Sequence, residues 1–353
     1  MSTESSAPVS PLRARIPEGE RDRKAEHIEL ALDRSTQGDR SFFDEYRFEH
    51  EALPEIDLDR IDTSLTFLGK RLEAPILVSC MTGGTETANR INLNLAAGAE
   101  QRGVAVGVGS QRKAIEDPSQ TATFQVREAA PTAALLGNLG AVQLNYGFGL
   151  DECLRAVEMI EADALVFHLN PLQEALQPEG QVNFSNLLPK MAEMVRGLPV
   201  PVIAKEVGSG LSEATGRALA SVGIEILDTA GVSGTSWARI ETRRSGELEL
   251  GELFANWGIP TPESIVQLRR IPGVTVIGSG GVRSGVDIAK AVALGADLAG
   301  LAYPFLEAAT ESPERVAAVI DRLVDELKIT MFCLGARNLA ELRDVRILRK
   351  EIR

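Results

Sequence analysis

Cysteine, histidine and tryptophan are scarce in this chain: three, three and two residues among 353. Cys80, Cys153 and Cys333 have no metal-ligand spacing and are too few for a disulfide framework, so a reduced, cytoplasmic setting is the expectation. No apolar run approaches the roughly 20 residues of a membrane span, and the N-terminus, MSTESSAPVSP, lacks the apolar core of a signal peptide. Positive charge is also short, with 37 Lys and Arg against 50 Asp and Glu and a net charge of −13. That balance argues against nucleic acid and membrane surfaces as general partners, since both are anionic. It leaves room for a small anion held by a local basic cluster. Residues 1–20, rich in Ser, Pro and charge, predict a disordered tail, and residues 21–353 a single domain.

From residue 74 onward, short apolar β-branched runs alternate with stretches of helical periodicity. Strands are predicted at 74–80, 103–109, 133–138, 163–168, 201–206, 224–229, 274–280 and 297–302. Helices are predicted at 86–102, 119–130, 150–161, 185–197, 212–222, 262–270 and 284–294, with one more after 312. Eight strand–helix units predict a (β/α)8 TIM barrel. A doubly wound sheet is the alternative, but MTGG at 81–84 makes a poor dinucleotide turn.

In a barrel the active site lies at the C-terminal ends of the strands. Those ends carry Met81-Thr82-Gly83-Gly84, Ser110-Gln111-Arg112, Asn138, His168-Leu169-Asn170, Lys205-Glu206, Asp228-Thr229, Ser279-Gly280-Gly281 and Ala302-Tyr303. The glycines of GSGGVRSG (278–285), together with GLAYP (300–304), predict a phosphate site after strands seven and eight, with Arg283 nearby. Lys205 ends an apolar strand, which suits contact with a flavin or, second, a Schiff-base nucleophile. Arg23, Lys24 and His27 in RDRKAEHI form one basic cluster and Gln111-Arg112-Lys113 another, so the ligand should carry more than one phosphate charge. Residues 229–261 are too long for an ordinary βα loop and hold both tryptophans, Trp237 and Trp257, as a lid or an interface would. In HLNPLQE (168–174), Glu174 is either a one-carboxylate magnesium ligand or a helix-start acid. His168 is an anion donor, a proton-transfer group or a structural residue.

Taken together, RKAEHI, MTGG, GSQR, GNLG, HLNPLQE, KEVG, SGTSW, NWGIPT and GSGGVRSG resemble the type 2 isopentenyl diphosphate isomerases from about residue 20 to the C-terminus. Val232 and Ser233, before GTSW, depart from the small residue and glycine common there. The resemblance implies a homo-oligomer, tetramer or octamer, using reduced FMN, Mg²⁺ and NAD(P)H as reductant. It implies that Arg23, Lys24, Arg112, His168 and Asn170 grip the diphosphate and that Glu174 holds Mg²⁺. Gln173, with His168, would stand at the catalytic centre. Met81, Thr82, Gly83, Ser110, Asn138, Lys205, Thr235, Gly280, Gly281, Arg283 and Ala302 would line FMN. A 2-hydroxy-acid oxidase on the same flavin barrel is the competing function. It needs a histidine base after strand six, where this chain reads SGTSWARIETRR.

Overall fold

Eight parallel strands close into a barrel in the computed structural model, which describes residues 23–350. They are β1 (Ile76–Val78), β2 (Ala105–Gly107), β3 (Leu135–Gly140), β4 (Ala164–Leu169), β5 (Val202–Glu206), β6 (Ile226–Asp228), β7 (Thr275–Ser279) and β8 (Leu298–Leu301). Each predicted strand is present, most of them shorter at the ends. The tail expected at residues 1–20 lies outside the described residues.

The barrel works because its strands are apolar on both faces. Leu77, Leu136, Val166, Ile203, Ile277 and Leu298 fill the interior. A larger cluster packs the opposite faces against the surrounding helices. An antiparallel hairpin, Leu65–Phe67 with Lys70–Leu72, drives Phe67 and Leu72 into the interior cluster. Its two-residue turn puts Leu68 (φ 50) and Gly69 (φ 73) in the left-handed region.

The helix Glu86–Arg102 has the predicted bounds, capped by the Thr85 side chain and ended by left-handed Gly103. The helix expected at 119–130 is replaced by two 3₁₀ turns, Pro118–Thr123 and Arg127–Ala129. Polar side chains compete for the backbone there. Asp117 accepts from Ser119 N at 3.0 Å, and Thr123 Oγ1 donates to Gln120 O at 2.6 Å. The segment after β6 carries two helices of its own, Trp237–Ser245 and Leu248–Phe254, and the first packs near the N-terminal helix α1 (Arg23–Leu32).

Candidate active site

A cavity of about 460 Å³ opens at the C-terminal ends of the strands, within the range of small-molecule sites. Lys24, Arg112, His168, Asn170, Gln173 and Glu174 line it. So do Met81, Thr82, Ser110, Asn138, Lys205, Thr235, Gly280, Gly281, Arg283 and Ala302. Two expected residues stand apart. Gly83 lies behind the wall, where a Cβ would fall 2.0 Å from the Phe124 ring, so it serves packing. Arg23 opens α1, but its side chain lies outside the described residues.

Strand register builds the floor of the cavity. His168 on β4 pairs with Lys205 on β5, which pairs with Asp228 on β6, so three polar side chains share one tier. His168 Nδ1 lies 2.9 Å from Asn138 Oδ1. Burial, with Lys205 and Lys24 adding repulsion, pushes the imidazole down to about 3. His168 is therefore neutral near pH 7, with Nδ1–H turned to Asn138. Burial also raises the Asp228 carboxyl and lifts the Cys80 thiol to about 11.

HLNPLQE turns from strand to helix at Asn170, with Pro171 at the first helical position. Asn170 Nδ2 donates to Gln173 Oε1 (3.1 Å) and to Glu174 Oε1 (3.0 Å). Gln181 N donates to Glu174 Oε2 at 2.5 Å. Within this chain, then, Asn170 organises the Gln–Glu pair. Arg112 is engaged as well, through Nε to Glu116 Oε1 at 2.8 Å.

Sequence reasoning missed Glu241, which is fully buried on the helix after β6. Gln173 Nε2 donates to Glu241 Oε1 at 2.7 Å, and His27 Nε2 lies 3.1 Å from the same oxygen. Arg244 donates to Oε2 at 2.7 Å. Burial alone would raise this carboxyl, but its donors His27, Gln173 and Arg244 hold it down to about 2. Burial lowers His27. The available signal was SWARIETRR, an acid three residues before an arginine on a lid helix that must face inward somewhere.

The glycine loop leads into the helix Gly285–Ala293. The amides leading into and opening this helix are already satisfied: Arg283 N and Ser284 N donate to Asp287 Oδ2, and Gly285 N donates to Glu326 Oε2 at 2.7 Å. An anion reaching this end of the cavity would meet the loop before the helix, where Gly280 and Gly281 line the wall. Gly280 (φ 103) and Gly281 (φ 75) are left-handed, and a Cβ on Gly280 would meet Gly231 O at 2.2 Å.

These features fit FMN. The glycine cradle suits a phosphate, Ser79 Oγ and Thr82 Oγ1 are buried on the cavity wall without a protein partner, and Lys205 lines the same cavity. Mg²⁺ fits in a narrower sense. Among the described residues no three His, Cys, Asp or Glu gather to hold a metal. Glu174 alone would need water and phosphate oxygens to complete the shell, as Mg²⁺ commonly does.

Comparison with known proteins agrees with this geometry. The family model for FMN-dependent dehydrogenase matches residues 27–133 and 261–349. An isopentenyl-diphosphate delta-isomerase from Nostoc sp. is 50% identical over 327 residues, covering 91% of this chain and 93% of its own. Those of Paracoccus zeaxanthinifaciens (50% over 332 residues, 91% and 95%) and Rickettsia bellii (49% over 326 residues, 91% and 95%) are similarly close. Among solved structures, a flavocytochrome b2 variant with sulfite bound gives a TM-score of 0.67 at 21% identity, covering 91% of this chain and 82% of that one. A mandelate oxidase variant with a monooxide FMN adduct gives 0.63 at 17%, covering 92% of each. At such identities the two solved structures establish the barrel and nothing finer. On the sequence relatives, the chain belongs to the isopentenyl-diphosphate delta-isomerases, built on the barrel of the FMN-dependent dehydrogenases.

Proposed function

We propose that this chain interconverts isopentenyl diphosphate and dimethylallyl diphosphate without net redox, using reduced FMN, Mg²⁺ bound through Glu174, and NAD(P)H to keep the flavin reduced. The observation carrying this reading is one cavity that joins the HLNPLQE motif and Lys24 of α1 to the flavin-lining strand ends. Lys24, Arg112 and His168 would bind the diphosphate, and Asn170 would hold Gln173 and Glu174 in place.

The reaction adds a proton at the terminal alkene carbon and removes one from the carbon nearer the diphosphate. No side chain here suits the first step. A glutamine amide is far too weak an acid, and His168, depressed to about 3, is a neutral imidazole near pH 7 whose remaining N–H is also far too weak an acid. Glu174 accepts two hydrogen bonds and faces the metal role. Reduced FMN, when bound, supplies an acid–base group at N5 and an electron-rich face for a cationic centre. Gln173, fixed from both sides by Asn170 and Glu241, orients the reacting carbons. Lys205, on the cavity wall, would supply positive charge to stabilise an anionic flavin. The lid helix, with Trp237 edge-on to His27 at 5.2 Å, shields this end from water.

Two measurements test the proposal. The purified chain, loaded with FMN and then freed of unbound flavin, should retain absorbance at about 450 nm. Given isopentenyl diphosphate, FMN, NADPH and Mg²⁺, it should form the dimethylallyl isomer, and removal of Mg²⁺ or of the reductant should abolish turnover. Oxidation of a 2-hydroxy acid with no isomerisation would instead restore the oxidase reading. Assembly as a tetramer or octamer belongs to the same proposal, as does a cytoplasmic setting. No helix among the described residues is long and apolar enough to cross a membrane.

A further inference from the structure

Ser233 is an odd residue for its position. It is 2% exposed, and its backbone sits at φ 136, a region side chains rarely adopt. One neighbour is the flavin phosphate loop. Arg283 donates to Ser233 O at 3.2 Å, and a Cβ on Gly281 would fall 2.3 Å from Ser233 Oγ. The other is a strap, residues 33–42, that leads directly from helix α1. Ser233 Oγ donates to Arg40 O at 3.1 Å and accepts from Phe42 N at 3.2 Å, which uses its donor and one lone pair on strap backbone. The pairing then continues outward. Gly38 N donates to Gly234 O at 2.7 Å, Thr235 pairs with Gln37, and Ser236 N donates to Thr36 O at 2.8 Å. Gly38 itself packs so closely that a Cβ would lie 2.7 Å from Ser233 O.

A glycine at this position would adopt the backbone freely, but it would delete both hydroxyl bonds to the strap. The chain keeps the strained serine. From this geometry we infer that Ser233 is a positioning residue that couples occupation of the Gly280–Gly281 nest by the flavin phosphate to the seating of α1 over the cavity. A phosphate on the nest fixes the loop against which Ser233 packs, and Ser233 in turn fixes the strap that carries Lys24 and His27 to the cavity wall. Linkage is reciprocal, so a ligand drawn to Lys24 tightens flavin binding through the same residue. The inference rests on the FMN reading of the site and does not depend on which reaction follows.

The test uses the full chain, with and without saturating FMN, and the variants Ser233→Ala and Ser233→Gly. Amide hydrogen exchange is followed at residues 23–42 and 278–285, and the FMN dissociation constant by flavin fluorescence. In the unsubstituted chain FMN should slow exchange in both segments. Either variant should keep the slowing at 278–285, lose it at 23–42 and bind FMN about five- to tenfold more weakly, as expected for two neutral hydrogen bonds lost. Because Ser233→Gly relieves the backbone, it should fold even where Ser233→Ala does not. Persistent FMN-dependent slowing at 23–42 in the glycine variant overturns the inference, as does its absence in the unsubstituted chain. A chain that takes up no FMN overturns the flavin reading along with it. FMN uptake with an unlinked strap overturns the coupling alone.

Discussion

At the floor of the barrel, Phe67 and Leu72 of the hairpin close the interior with hydrocarbon, and Lys70 seals the rim on Ala133 O and Asp163. At the mouth, the same strands end in His168, Lys205 and Asp228, with Glu241 buried above them. The floor pairs Lys70 with Asp163 and buries apolar area, which stabilises it. The mouth holds several ionisable groups out of water and leaves Ser79, Thr82 and Asn170 with orphaned polar atoms, which costs stability unless a ligand completes them. The two ends divide folding from chemistry, so substitutions at one end should move quantities that substitutions at the other leave alone.

The largest effect is expected at Glu241. Glu241→Ala removes the acceptor shared by Gln173, His27 and Arg244 and leaves a partly buried guanidinium with only Glu26 and Glu179 to pair with. Turnover should drop by about 10²–10³-fold, and stability by about 3–5 kcal/mol, as for other broken buried pairs. Glu241→Gln, which keeps the volume and one acceptor, should recover most of the stability and less of the turnover. Steady-state kinetics beside urea unfolding separates the two, and turnover within threefold of the parent would refute the role given to Gln173. At the floor the pattern should reverse. Leu72→Ala leaves a cavity beneath the barrel and should cost about 2–5 kcal/mol, yet the FMN dissociation constant should stay within about twofold because the sites are far apart. A large loss of flavin affinity would show that the ends are not separable.

Mild acid, above the range where carboxylates such as Asp163 take up protons, should act through the histidines of the mouth. His168 is depressed to about 3, and His27 is lowered by burial too, against about 6.5 when unfolded. Below pH 6.5 these two rings therefore bind more protons in the unfolded chain than in the folded one. Stability contributed by the neutral imidazoles is full above that pH and falls toward pH 3, by about 1.4 kcal/mol per pH unit for each fully neutral ring. Urea midpoints measured between pH 7 and 4.5 should show the slope, and His168→Asn should flatten it. An unchanged slope in that variant would place the proton uptake elsewhere.

The same division explains what could be read from the sequence. All eight barrel strands were legible because a strand buried on both faces is an unbroken apolar run, and most of the helices that follow them were legible from their period. The site ends followed from the barrel rule. The hairpin was not legible, because its turn uses Leu68 in a conformation that usually calls for Asn or Gly. The missing helix at 119–130 was lost to side chains competing for backbone at Asp117 and Thr123. Glu241 was hidden for a different reason. Its partners are His27, Gln173 and Arg244, two of them far away in sequence, and only the fold brings a lid helix, an N-terminal helix and HLNPLQE to one point. Long-range polar pairing leaves no period in the chain.

The smallest expected change in stability is at Arg112, and it sharpens the comparison furthest. Its side chain is 28% exposed and pairs with a half-exposed Glu116 four residues on, on a helix of one turn and a half. Such surface pairs contribute about 0–1 kcal/mol, so Arg112→Ala should shift unfolding by no more than about 0.5 kcal/mol. Yet Arg112 lines the cavity, and a guanidinium that leaves Glu116 for a diphosphate exchanges one carboxylate for a doubly charged group at little cost. The variant should therefore raise KM about tenfold at unchanged kcat, the signature of binding lost equally from ground and transition states. A fall in kcat instead would mean that Arg112 also holds the substrate's reacting end, and that the mouth works as one unit with no separable grip. A loss of stability beyond 1 kcal/mol would mean the reverse: that this rim carries part of the fold, and that the line between the two ends of the barrel lies higher than the register of His168, Lys205 and Asp228.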